Sequence, residues 1–437
     1  MTNPGRLKTP LTAPLAIFLA ACGTRVPPPL PEASQAWLVL VASGTAGSAA
    51  LDRLHASGWT AAGTTSVPGM FRLQGIGTPE GEGVMGAWCD REHPIDTGHL
   101  RPGGPASRLA ASAPVSGTAT GTPWNMALIR APEAWHRGHD GQGVVVAVVD
   151  SGLDPGHPDF AGAVDWEHGH NLVEQEPFTD LNGHGTHVAG IIGARMDEQG
   201  ITGVAPACTL RIIKVLDQRG YGHDHLVMEG VLRAAREGAD VINVSIGTRL
   251  AWGTPEAGAL TLAWDRTLRE ALRLGALVVT GTGNDGEAER TSGWTHLPAA
   301  RPWALVATAC GPLMGQDPAR LAPWANHGPG LAGVVAPGGG LDRDALGNPR
   351  VLDPGDLIWS TWSREAPSGA TWQGWAGTSM AAAHVSGAAA LARQVRPDLK
   401  GTALGDWIRA TGLQGEPGSA PLLRCDRLDG PLQAPRP

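Results

Sequence analysis

Asp150, His184 and Ser379 have the side-chain types that a nucleophilic attack on a carbonyl needs. A serine hydroxyl must lose its proton to a base, and an imidazole base needs a carboxylate to hold its tautomer and offset the charge it gains. Ser379 stands in Trp375-Ala-Gly-Thr-Ser-Met-Ala-Ala-Ala-His-Val-Ser-Gly-Ala-Ala-Ala-Leu391, a turn running into a small-residue segment that reads as a buried helix. A serine placed there meets unpaired N–H groups and the positive end of the helix dipole, which favour an oxyanion. Alone, the same letters describe an N-cap serine on a core helix, the commoner role. Asp150, in Val-Val-Asp-Ser-Gly-Leu-Asp-Pro, closes an apolar run, where an ionised carboxylate is costly to bury without a partner. His184 opens His-Gly-Thr-His-Val-Ala-Gly, with His187 three residues on. A metal site on those histidines lacks a third ligand and the His-Glu-x-x-His pattern. The order Asp, His, Ser along the chain is one in which the triad geometry recurs.

These groups need a scaffold, and the chain supplies the pattern of one from Gly143 onward. Runs at 144–149, 212–216, 241–244, 276–280 and 304–308 are short, apolar and bounded by turns. Strands buried on both faces read this way, as in a parallel sheet covered by helices. Helical patterns at 225–237 and 266–274 lie between them and stop at Gly238 and Gly275. The predicted fold class is therefore α/β, a mostly parallel sheet with helices on both faces. In such sheets the working crevice lies at the carboxyl ends of the strands, where Asp150 falls.

With those motifs in hand, the region 123–392 resembles the subtilisin-like serine proteases (subtilases). Asp-Ser-Gly-Leu-Asp, His-Gly-Thr-His-Val-Ala-Gly and Gly-Thr-Ser-Met-Ala-x-x-His-Val-Ser-Gly match that family's signatures in order and spacing. The resemblance implies that Asp150, His184 and Ser379 act as acid, base and nucleophile, and that His187 and His384 are structural. It implies that Asn284, in Thr280-Gly-Thr-Gly-Asn-Asp-Gly286, donates its amide to the oxyanion. It further implies that Ser245, Ile246 and Gly247 pair with an extended peptide faced by Gly220 and Gly222. Gly281, Thr282 and Gly283 would line the pocket for the side chain before the cut, their small size leaving room for a large apolar group.

Two departures stand out. Ala383 replaces the proline usual before the serine motif's histidine, and Leu297-Pro298-Ala299 replaces a motif that commonly begins with an aromatic residue. The family's structural calcium would fall to Asp159 and Asp197 with carbonyls of Arg195, Gln199 and Ile201. Oxygen-only ligation suits that ion. The family's extra ligand from the start of the mature domain has no recognisable counterpart, Thr120 being nearest. The triad itself needs no cofactor.

The remainder is organised around export. Arg6 and Lys8 precede an apolar run at 11–21, too short to span a bilayer and typical of a secretory signal (1–21). The run ends Leu19-Ala-Ala-Cys22-Gly23, which resembles a bacterial lipobox and makes Cys22 the lipidation candidate; the alternative is an ordinary signal peptide with Cys22 incidental. A Pro-rich tether (22–35) follows, then a small α+β domain (36–100) in the place of a propeptide that assists folding and inhibits the site. A Gly-, Pro-, Ser- and Thr-rich linker (101–122) holds the expected processing site, and the catalytic domain runs from 123 to 437. If the lipid sits on the propeptide, cleavage in the linker releases the enzyme from the membrane.

A net charge of −8 and the lack of a basic stripe argue against nucleic-acid binding. Cys89, Cys208, Cys310 and Cys425 fit no zinc or Cys-x-x-Cys pattern but are enough for a disulfide, with Cys310–Cys425 as the candidate pair. The expected activity is a serine endopeptidase acting as a monomer on polypeptides and inhibited by its own propeptide. The rival readings are a catalytically inactive subtilase-fold scaffold lipoprotein and a maturation protease with one partner substrate.

Overall fold

The computed structural model describes residues 35–42, 45–63, 65–75, 79–80, 84–89, 122–313, 317–328, 331, 333–343, 349–415 and 419–430. The signal segment, tether and linker, with Cys22 and Thr120, lie outside them. Everything described belongs to one compact unit, Gln35–Pro437.

The small N-terminal part contains β1 (Gln35–Val41), α1 (Thr45–Ala56), β2 (Thr60–Gly63), β3 (Met70–Gly75) and β4 (Val84–Cys89), an antiparallel sheet in the order β2-β3-β1-β4. The apolar run of β1 does not alternate because both of its faces are covered. Val39 and Val41 pack with Ala50 and Leu54 of α1, while Leu38 and Leu40 face the large part of the molecule.

The large part begins with α2 (Trp124–Ile129) and α3 (Ala131–Trp135). There follow β5 (Val145–Asp150), β6 (His170–Asn171), α4 (His184–Gly193), β7 (Thr209–Lys214), α5 (Asp224–Arg236), β8 (Val241–Val244) and β9 (Thr248–Ala251). Then come α6 (Pro255–Arg273), β10 (Leu277–Gly281), β11 (Trp294–Leu297), β12 (Leu305–Cys310), β13 (Val334–Pro337), α7 (Thr378–Val395) and α8 (Gly401–Thr411). Among the described residues the main sheet has the order β13-β12-β10-β8-β5-β7-β6, and every neighbouring pair is parallel. Strand order reverses between β5 and β8, so the crevice of this sheet opens beside the end of β5.

Alternate residues of each strand enter separate cores. Val146, Val148, Leu210 and Ile212 pack under α4, α7 and α8; Ala147, Val149, Ile213 and Val215 pack under α5 and α6. Every residue from Thr378 to Ala392 of α7 is buried, and its alanines and Gly387 let it run through the centre of the molecule. A helix apolar all round belongs in such a place. α6 begins eleven residues before the segment the sequence pattern marks, capped by Thr254 with Pro255 in its first turn.

The small sheet lies on α5 and α6. Leu38, Leu40, Val67 and Met70 share a core with Val231, Leu232, Leu260 and Trp264. At its rim Glu229 accepts the backbone N–H of Ser66 at 2.9 Å, and Arg266 donates to the carbonyls of Pro68 at 2.8 Å and Val41 at 3.0 Å. No helix among the described residues is long and apolar enough to cross a membrane.

Candidate active site

Asp150 ends β5 on the same side as Val146 and Val148, the side that α4 covers. His184 is the first residue of α4, entered through Gly183 at φ +103°, where a Cβ would lie 2.3 Å from the Trp362 ring. Both side chains are fully buried, and Nδ1–H of His184 donates to Oδ1 of Asp150 at 2.7 Å. The same oxygen accepts the backbone N–H of Ser151 at 2.7 Å. This holds the imidazole with Nε2 as its basic nitrogen, the tautomer a general base requires.

Asp180 braces the turn before α4. Its buried carboxylate accepts from the hydroxyls of Ser151 and Thr186 and from the backbone N–H groups of Asn182, Gly183 and Thr186. The sequence offered Asp180 only as a neighbour of the histidine motif, and its role was not read from it.

Ser379 is the second residue of α7 and is buried. Its hydroxyl donates to the Ser245 carbonyl at 2.9 Å, while the Ser245 hydroxyl donates back to the Ser379 carbonyl at 3.0 Å. Asn243 and Ser386 extend this link between β8 and α7. Trp375, four residues before Ser379, lies 5.9 Å ring to ring from His184, so the start of α7 and the start of α4 are neighbours. Asn284 accepts the backbone N–H of Thr378 through Oδ1 at 2.9 Å. Its carbonyl end is thereby fixed on α7.

The pocket beside Ser379 is lined by Ser245, Ile246 and Gly247 on one side and Gly281, Thr282 and Gly283 on the other. Gly220 and Gly222 are outside this lining, on the turn after β7 that Asp217 closes by accepting the N–H of Tyr221. Arg249 and His296 also line this pocket, whose exposed wall is otherwise mostly apolar. His296 is clamped at both nitrogens, with Nδ1 3.2 Å from Glu289 and Nε2 3.2 Å from Asp285. Burial works against its proton, but these carboxylates prevail and raise its pKa to about 9. Arg249 donates to Glu287 through Nε at 3.1 Å. Asp285, Glu287 and His296 bring ligand atoms within 4.8 Å of one another, but Arg249 and the protonated His296 already supply positive charge there. Sequence reasoning missed His296, because one polar residue before Leu297-Pro298-Ala299 carries no local sign of the carboxylates that fold around it.

His187 and His384 are buried scaffold groups. His187 faces the carbonyls of Ile358 and Gln373 through Nε2, and burial, helped by the nearby His184, lowers its pKa to about 3. Burial likewise lowers His384 to about 4; its Nδ1–H donates to Met380 and its Nε2 accepts from Asn125.

Of the candidate calcium ligands, the structure brings Asp159 against the loop that carries the others. Asp159 is buried beside the 195–201 loop, accepting the N–H of Ile201 through Oδ2 at 3.0 Å while its backbone carbonyl accepts the N–H of Arg195. Its Oδ1 is buried with no hydrogen-bond partner. The nearby Nδ1 of His157 accepts the N–H of Asp159, so it carries no proton toward that oxygen. Asp197 is tied back by the N–H of Gln199. A buried carboxylate oxygen without a donor, set against the 195–201 loop, fits a hard divalent cation.

The cysteine pairing is corrected. Cys208, Cys310 and Cys425 are free and buried, so the Cys310–Cys425 bridge does not form. Burial pushes the Cys208 and Cys310 thiols up to about 12.

Residues 141–422 match the model described as the subtilase family. The chain is 32% identical over 295 residues to subtilisin E of Bacillus subtilis, covering 67% of this chain and 66% of that protein. It is 33% identical over 306 residues to an alkaline protease of Shouchella clausii, covering 70% and 68%. The chain thus spans about two thirds of the length of these relatives. Its fold matches fervidolysin from Fervidobacterium pennivorans with a TM-score of 0.66 at 22% identity, covering 92% of this chain and 62% of that one. That coverage exceeds what residues 123 onward can supply, so the likeness of fold reaches into the small N-terminal sheet. Sheet, motif geometry and sequence match agree, and the chain belongs to the subtilase family of serine endopeptidases.

Proposed function

We propose that the chain is an exported serine endopeptidase that cleaves polypeptides through an acyl-enzyme. The observation that supports it most is the buried hydrogen bond between His184 and Asp150, set beside the helix start that presents Ser379. In this reading the Ser379 hydroxyl turns from the Ser245 carbonyl, gives its proton to Nε2 of His184 and bonds to the substrate carbonyl carbon. The carbonyl oxygen takes the negative charge and is met by the Ser379 N–H and the Asn284 amide. As the C–N bond breaks, His184 returns the proton to the leaving amine. Water then repeats the sequence on the ester, releasing the acid and restoring Ser379. The substrate binds as a strand between Ser245–Gly247 and Gly220–Gly222, read mainly through its backbone.

Residues 36–100 serve as a propeptide that covers α5 and α6 until the linker is cut, and the mature enzyme works as a monomer. A lipid on Cys22 would tether the precursor to the membrane, and the cut would free the enzyme. Asp159 and Asp197, with carbonyls of Arg195, Gln199 and Ile201, would hold a calcium ion, whose charge would stabilise the loop after α4. A serine-directed fluorophosphonate tests the chemistry: it labels the wild type and leaves Ser379→Ala unlabelled. Intact mass and N-terminal sequencing of the purified protein test processing and acylation. An active catalytic domain recovered only as full-length membrane-bound protein contradicts release.

A further inference from the structure

Lys214 is fully buried, and the mechanism above gives it no part. It ends β7 directly across from Asp150 in the parallel register, and it lies on the same face of the sheet, since Leu210 and Ile212 before it share a core with Val146 and Val148. Its ammonium donates to the carbonyl of Ser151 at 2.7 Å and to that of Leu216 at 2.8 Å, and lies 3.1 Å from Oε2 of Glu176. Two of its three donors meet carbonyl oxygens, and its charge is paired with the Glu176 carboxylate. Burying a lysine costs heavily unless its charge is matched, so a residue held this way fixes whatever it touches.

What it touches bears on the base. Ser151 gives its N–H to the Asp150 carboxylate and its carbonyl to Lys214, so the residue is pinned on both sides. Glu176 accepts the N–H of Gln218, the Gln218 carbonyl accepts from Asn182, and Asn182 accepts the N–H of His184. Against His184 lie Asp150 from the sheet, bonded to Nδ1, Asn182 from the preceding turn, His187 from its own helix and Trp375 just before α7, while Lys214 stands one strand over, across from Asp150.

We propose that Lys214 is a positioning residue for the Asp150–His184 pair, and that its buried charge, balanced by Glu176, sets the pH at which His184 takes up a proton. This rests on the hydrolase reading for its effect on turnover, but the titration of His184 can be read without turnover. The experiment follows the Nδ1 proton of His184 by NMR against pH in full-length Ser379→Ala protein, alone and with Lys214→Met or Glu176→Gln. Removing the cation makes the imidazolium easier to form, so Lys214→Met moves the titration up by about half a pH unit or more. Glu176→Gln leaves the cation less balanced and moves it down. In active protein, Lys214→Met lowers kcat by about tenfold with KM within about threefold. A purely structural lysine leaves the titration unmoved or moves it the same way in both variants, and either result overturns the proposal. If Lys214→Met does not fold, Glu176→Gln decides alone: a downward shift supports the proposal and no shift overturns it. Wild-type protein with no peptidase activity would sink the hydrolase reading while leaving the titration result to stand.

Discussion

Thr378 donates its backbone N–H to Oδ1 of Asn284 at 2.9 Å, one residue before Ser379. That bond decides which end of the amide is which. With the oxygen held on α7, the oxyanion role proposed for Asn284 falls to its NH2 group. Asn284→Ala is expected to lower kcat by about 10²–10³ with little change in KM, the loss that follows removal of one oxyanion donor. Steady-state kinetics on a peptide substrate check this, and an unchanged kcat removes Asn284 from the site.

Acid should unfold the protein through its buried histidines. In the unfolded chain His187 and His384 have the ordinary value of 6.5, but burial lowers them to about 3 and about 4 in the fold. The unfolded state therefore binds protons first as pH falls. Stability is full above about 6.5 and is lost by up to ~1.4 kcal/mol per pH unit per histidine until the folded values are reached. Melting of Ser379→Ala protein, which cannot digest itself under this account, should show Tm falling from pH 7 to pH 5. A flat Tm over that range contradicts the assignment.

His296 gives the opposite limb. Its folded pKa is raised to about 9, so its contribution is fully present below 6.5 and is lost as pH rises through about 9. Tm should decline between about pH 6.5 and pH 9, and His296→Gln should remove part of that decline while lowering Tm at pH 7. An alkaline limb unchanged in the variant means the carboxylates of Asp285 and Glu289 do not hold a proton there.

A cation at Asp159 would give a stability that responds to chelation. Full-length Ser379→Ala protein should melt lower in excess chelator than in millimolar calcium, and Asp159→Asn should abolish the difference. A calcium-independent Tm in the parent protein rejects the site.

The sequence made Asp150, His184 and Ser379 legible because each sits where a strand or helix changes character: a carboxylate ending an apolar strand, a histidine opening a helix, a serine after a Gly-Thr turn. The same local signals placed β8 to the residue at 241–244. What stayed hidden depended on tertiary neighbours. Lys214 reads as the polar end of a strand, and only the register with Asp150 shows why it is buried. His296 reads as one polar letter in β11, and only folding surrounds it with acidic side chains drawn from the 285–289 loop. The start of α6 was hidden by Gly258, which helix propensity disfavours and packing under the small sheet tolerates. The Cys310–Cys425 pairing failed because separation along the chain says nothing of separation in space.

The most direct test compares peptide hydrolysis by processed wild-type protein with that of folded Ser379→Ala protein under identical conditions. The account expects turnover in the first and a loss of about 10⁶ in the second, the size that follows removal of a triad serine. Hydrolysis that survives the substitution, or a folded and processed wild type that cleaves nothing, would contradict it.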